Sequence, residues 1–184
     1  MSTQENRAAA TALPRLDADA AGQVDAGWER RLATEQWLLD AADDEVKARQ
    51  EWCAGDVALL RCGRSFSAIR VPLMLVQAAA DSEAREQVAA YLHEALLGGA
   101  AFVARGARSV YCLIPASTPD KYRVPDCEHL RRDSYLGVPF PATPQSTRSY
   151  WLVKPAAPDS VSVFDSVAQM VTVGRSRAAM RAGG

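Results

Sequence analysis

Lysine, histidine and paired cysteine are what this chain has least of. Of its 21 basic residues only Lys47, Lys121 and Lys154 are lysines, and its two histidines are His93 and His129. Neither histidine has a Cys, Asp or Ser at a spacing that builds a triad or a zinc site, so both read as structural. The four cysteines, Cys53, Cys62, Cys112 and Cys127, include no C-x-x-C pair, which argues against a zinc site and against a disulfide framework. Cys62 and Cys112 fall in apolar strand patterns, where free cysteine behaves as a small buried hydrophobe. No apolar run approaches the ~18 residues of a membrane span, and the N-terminus lacks a basic-then-apolar signal pattern. A cytoplasmic protein without a membrane partner is therefore expected. Gly98-Gly99 and Gly106 match no phosphate-loop spacing and read as turn residues. There is no internal repeat, and nothing asks for a metal or a cofactor.

What is present is an ordinary apolar content and an uneven charge. The 184 residues suit one domain, and 48 % apolar residues are enough for a real core. The net charge of −1 hides an asymmetry: residues 1–52 carry 6 basic and 11 acidic side chains, residues 53–184 carry 15 and 11. Asp40, Asp43, Asp44 and Glu45 form an acidic cluster that helix capping and a solvated face explain better than metal ligation. The basic residues are mostly arginine, whose planar fork suits phosphate and carboxylate. With the abundant alanine, the same bias fits the codon usage of a high-GC bacterial genome. Residues 1–26 have few large apolar groups to offset their ordering entropy and read as a disordered tail. Residues 27–184 read as a single α+β domain.

From Trp28 the pattern becomes helical, with Trp28, Leu32, Leu39, Ala42 and Val46 on one face. Asp43 or Asp44 caps a second short helix carrying Trp52, which Gly55 ends. Val57–Cys62 and Phe66–Val71 flank Gly63-Arg64-Ser65, the pattern of a hairpin. Pro72 opens a helix through Leu73–Ala79. Ser82 caps another, with Val88, Tyr91, Leu92, Ala95 and Leu96 inward. Ala101–Arg105 and Ser109–Ile114 form a second hairpin about Gly106-Ala107. A polar loop over 116–127 leads to a short helix at Glu128–Asp133. Tyr135–Val138 and Ser149–Val153 are strands joined by a proline-rich segment, and Val161–Val173 is a closing helix. The fold class is α+β, a mixed or antiparallel sheet of short strands packed with helices.

Trp52, Gly63-Arg64-Ser65, Gly106, Tyr111–Pro115, Tyr135-Leu-Gly-Val-Pro-Phe-Pro141 and Tyr150-Trp151 follow one another in an order that resembles the primase–polymerase domain of the archaeo-eukaryotic primase superfamily. The likeness is to the compact form carried by bacterial plasmids and phages, and it spans about residues 45–155. It implies one strand ending in an Asp-x-Asp metal pair and a later strand beginning with a catalytic His. Here Arg70 and Pro72 stand at the acidic positions and Ser109 at the histidine. A third acid corresponds to Asp126 or Glu128. One carboxylate cannot hold two Mg²⁺ ions. The resemblance therefore implies a non-catalytic relative that binds nucleic acid or a nucleotide in a replication or regulatory role.

Under that reading the anion-binding candidates are Arg70, Arg105, Arg108, Ser109, Arg131, Arg132, Arg148 and Lys154, with Tyr111 and Tyr150 as stacking rings. Solvated turn charges and ordinary core aromatics are the plainer alternative. Two other functions compete. One is a protein-interaction module that engages a partner through the acidic N-terminal helices, with its largest apolar patch on the Trp28/Trp37 helix. The other is a residual nucleotidyl transferase built on Asp56 with Asp126 or Glu128.

Overall fold

The computed structural model describes residues 18–55, 57–142 and 149–183. Of the expected N-terminal tail, residues 1–17 lie outside the described residues. Helix α1 is described from Ala18 to Leu39, its start favoured by alanines 18, 20 and 21. Its buried face is only partly the expected one: Leu39, and Ala42 just past the helix end, are buried as expected. Trp37 and Leu38 are buried, with Thr34 beside them, whereas Trp28 and Leu32 are 54 % and 45 % exposed. The reason is a break in phase: the helix ends at Leu39 and the chain turns before α2 (Glu45–Gly55), so Ala42 and Val46 never share its face. Asp44 caps α2, its carboxylate accepting the Lys47 backbone N–H at 3.0 Å.

Seven strands follow, named here in chain order: β1 (Val57–Arg61), β2 (Phe66–Pro72), β3 (Ala101–Ala104), β4 (Ser109–Pro115), β5 (Glu128–Leu130), β6 (Tyr135–Pro139) and β7 (Ser149–Val153). Among the described residues every strand pairing is antiparallel. Five strands form one sheet in the order β5-β2-β4-β3-β7, and β1 pairs with β6 in a separate ribbon. The expected hairpin of the first two strands is thus absent. The two runs differ in kind. β1 alternates, with Leu59 53 % exposed between buried Ala58 and Leu60, and suits a one-sided ribbon. β2 is buried at Phe66, Ser67, Ala68 and Ile69 in succession, the mark of a strand covered on both faces. The connection turns at Gly63, with φ at 86°, where the main chain of Arg132 leaves no room for a side chain.

The β3–β4 hairpin forms as expected, through a 3-10 turn at Arg105–Ala107. The expected helix at Glu128–Asp133 does not form. Asp126 and Asp133 both take left-handed φ, 61° and 72°, so the chain turns sharply on either side of three residues that complete the edge of β2. Tyr135–Pro139 and Ser149–Val153 are strands, but they belong to different sheets.

Helices α3 (Leu73–Ala80), α4 (Arg85–Ala95) and α5 (Phe164–Ala182) cover one face of the large sheet, meeting Ile69, Val71, Val103, Val110 and Cys112. Helix α4 begins later than expected. Ser82 accepts the Ala84 N–H at 3.0 Å in a local turn and does not cap the helix. α5 continues nine residues past Val173. On the other face α1, α2 and the β1–β6 ribbon enclose Phe66, Ala68, Phe102, Leu113 and Trp151. The Trp52 indole anchors this layer by donating to the Val138 carbonyl at 2.8 Å. No described helix is long and apolar enough to cross a membrane.

Candidate functional site

Period-two alternation along β2 puts Arg70 on the same side as Phe66 and Ala68, towards the α1/α2 layer, near the strand's C-terminal end. Pairing then sets Glu128, Arg70, Tyr111 and Phe102 in one row across β5, β2, β4 and β3. Ser109 lies on the same side, two residues before Tyr111 on β4. Arg70 Nε donates to Ser109 Oγ at 3.1 Å, and Ser109 Oγ donates to the Ala107 carbonyl at 2.9 Å. Arg70 Nη1 pairs with Glu128 Oε2 at 3.2 Å. Two of the three substituted positions, Arg70 and Ser109, therefore meet, with the guanidinium held between a hydroxyl and a carboxylate. Half-exposed and already partnered, Arg70 offers an incoming anion only part of its fork.

The acids do not assemble. Asp126 pairs with Arg175 of α5 at 3.3 Å, on one side of the sheet, while Glu128 is held by Arg70 on the other. Asp56 lies outside the described residues. Among the described residues no three His, Cys, Asp or Glu side chains come together in a way that could hold a metal ion.

Of the eight anion-binding candidates, Arg70, Arg105, Arg108 and Ser109 gather at one end of the sheet, where β2 ends and β3 turns into β4. Arg108 takes a left-handed φ of 47°, and its carbonyl accepts the Leu73 N–H at 2.9 Å. That bond ties the turn to the start of α3. The Arg108 side chain has no hydrogen-bond or ion-pair partner among the described residues. Arg131, Arg132 and Lys154 sit towards the other end. Arg131 pairs with Asp120 at 3.0 Å, and this hydrogen bond holds the Asp120 carboxyl below its ordinary range. Arg132 packs its main chain on Gly63. Lys154 follows β7 and faces α1 across a cavity. Arg148 lies outside the described residues.

Tyr111 and Tyr150 do not form one stacking platform. Tyr111 lies on Phe102, ring centroids 5.2 Å apart and planes 19° from parallel, within the α1/α2 side. Burial pushes its hydroxyl pKa up, the chief cause ahead of the opposing pull of Arg70. Tyr150 opposes Val103 on β3 and points to the helix side. There its ring carries two guanidiniums, with Arg85 at 4.3 Å and Arg105 at 5.2 Å from the centroid. Arg85 opens α4 and was not among the sequence candidates. Nothing local marks it, because its partner is 65 residues away in the chain. Neither arginine has a carboxylate partner among the described residues.

His129 lies on β5, at the edge of the large sheet. Its ring nitrogens are shielded from water, and burial is the main cause that lowers its pKa. No protein-family model, curated protein or solved structure matches this chain.

Proposed function

We propose that this chain is a non-catalytic, primase–polymerase-like domain that binds nucleic acid in a replication or regulatory role, through the sheet end bearing Arg85, Arg105 and Arg108. The observation that carries the reading is the Tyr150 ring with two guanidiniums over it and no carboxylate to neutralise them. The separation of those cations cannot exceed the sum of their distances to the ring. Neither charge is neutralised by a described carboxylate, and a phosphate beside this ring can take paired hydrogen bonds from a guanidinium fork. Arg108 extends the same positive edge. Arg70 and Ser109, standing where the resemblance implies metal chemistry, leave this edge with binding as its role.

The test is fluorescence anisotropy with a short labelled single-stranded DNA over a salt series. Three phosphate contacts give a log–log salt slope of about −2, at ~0.7 per contact. The double substitution Arg85→Ala/Arg105→Ala is expected to reduce that slope by about 1.4. Salt-insensitive binding, or a double variant with the wild-type slope, refutes the assignment.

A second reading, a protein-interaction module on the N-terminal helices, is favoured by one observation. Trp28 and Leu32, one turn apart on α1, are both largely uncovered.

A further inference from the structure

The Trp28 side of α1 faces a cavity of about 620 Å³, closed by the chain just after β6 and just after β7. That volume falls inside the range of small-molecule sites, roughly 300–1,000 Å³. Its walls are mainly apolar: Trp28 and Leu32 from α1, Phe140 and Pro141 after β6, and Pro155 after β7. Trp28 and Leu32 at 54 % and 45 % exposure are a large uncovered apolar pair for a single helix turn.

The polar groups around this apolar body choose the charge of its occupant. Glu35 lines the cavity, but its carboxylate is engaged by Arg49 at 3.6 Å. The Thr34 hydroxyl is spent on the Arg30 carbonyl at 2.7 Å. Arg31 rests over the Trp28 ring at 5.8 Å without a carboxylate, and Lys154 has no hydrogen-bond or ion-pair partner among the described residues. Among the described residues the wall thus holds two cations without a carboxylate partner and one anion already paired. Such a surface disfavours a cation and offers its two free positive groups to an anion. It favours one negative group carried on an apolar body.

We propose that this cavity is a binding site for a small apolar carboxylate, its hydrocarbon against Trp28, Leu32 and Phe140 and its carboxylate at Lys154. The site is independent of the nucleic-acid reading, since it uses none of Arg85, Arg105 or Arg108.

The probe is decanoate, kept below its micelle concentration and titrated into the full chain, followed by tryptophan fluorescence and by thermal shift. The expected result is saturable binding, with a fluorescence change that Trp28→Phe removes while the thermal shift persists. Lys154→Ala weakens the apparent affinity about fivefold, and uncharged decanol binds weaker than decanoate by a similar factor. Leu32→Asp, at an exposed position that the fold tolerates, abolishes binding. Three results would each overturn the proposal: no saturation, a Lys154→Ala affinity equal to wild type, or decanol binding as tightly as decanoate.

Discussion

Replacing Gly174 by alanine tests the packing that holds the helical layer on the sheet. Gly174 lies in α5, where this helix crosses α3, and is buried. A Cβ built there presses into the Leu75 carbonyl oxygen and comes 3.0 Å from its carbonyl carbon. Main chain on a packed helix cannot step aside as the tip of a long side chain can. Intrinsic propensity alone makes Gly→Ala in a helix stabilising by about 1 kcal/mol. Overpacking costs about 1–3 kcal/mol, and the backbone clash puts this site at the upper end. The net expectation is a loss of about 1–2 kcal/mol, which lowers the melting temperature by about 3–6 °C in a chain of this size. Gly27→Ala in α1 is the control, since its Cβ would meet nothing within 4 Å. There propensity acts unopposed, and stability should rise by about 0.5–1 kcal/mol. Denaturant unfolding of the two variants gives the comparison, with m-values confirming that the native state is unchanged. Equal signs for the two substitutions, or a neutral Gly174→Ala, would refute the close helix crossing.

Two further outcomes concern titratable groups. Burial pushes the Cys62 and Cys112 thiols up to about 12 and Cys127 to about 11, whereas Cys53 is exposed. A thiol with a pKa near 12 is only about one part in 10⁴ thiolate at pH 8, so thiol reagent should modify Cys53 alone in the native protein and all four cysteines after unfolding. Rapid native labelling at Cys62 or Cys112 would contradict their placement. Asp43 is a hub: it accepts from Tyr135 at 2.5 Å and pairs with Arg64 at 2.7 Å and Arg61 at 3.7 Å. The Tyr135 hydrogen bond first, then the two arginines, depress its carboxyl below the ordinary 3.8. A depressed acid stabilises the fold above its unfolded value, and that contribution disappears as pH falls through the folded one. Acid unfolding of Tyr135→Phe should therefore begin at higher pH than wild type, and a carboxyl NMR titration should find Asp43 moved upwards; an unmoved Asp43 refutes the hub.

Local pattern settled a good part of this molecule. The α+β class, the Asp44 cap and the β3–β4 hairpin each depend on neighbours within a few residues. So does the burial of Cys62 and Cys112. The phase of a helix, the alternation of a strand and the reach of a cap are short-range quantities. Pairing partners were another matter. β1 looks like half of a hairpin with β2, yet β2 carries apolar groups on both sides and is covered only inside the large sheet, between β5 and β4. β1, apolar on one side, goes to β6. The strand at Glu128–Leu130 exists because the β2 edge needed a partner and two left-handed aspartates bracket it, and its own residues carry no strand signal.

The same division runs through the candidate sites. The amino-acid sequence by itself determined that arginine and serine occupy Arg70 and Ser109 and that the second half of the chain is basic. Only tertiary structure decided which arginines are free. Glu128 and Asp120 neutralise Arg70 and Arg131 across strands and loops. Arg105 finds Tyr150 and the unforeseen Arg85, brought from α4 to β7 by the packing of a helix on a sheet. Whether a charge is spent or available depends on what lies within a few ångströms in space, and one-dimensional order does not contain that distance.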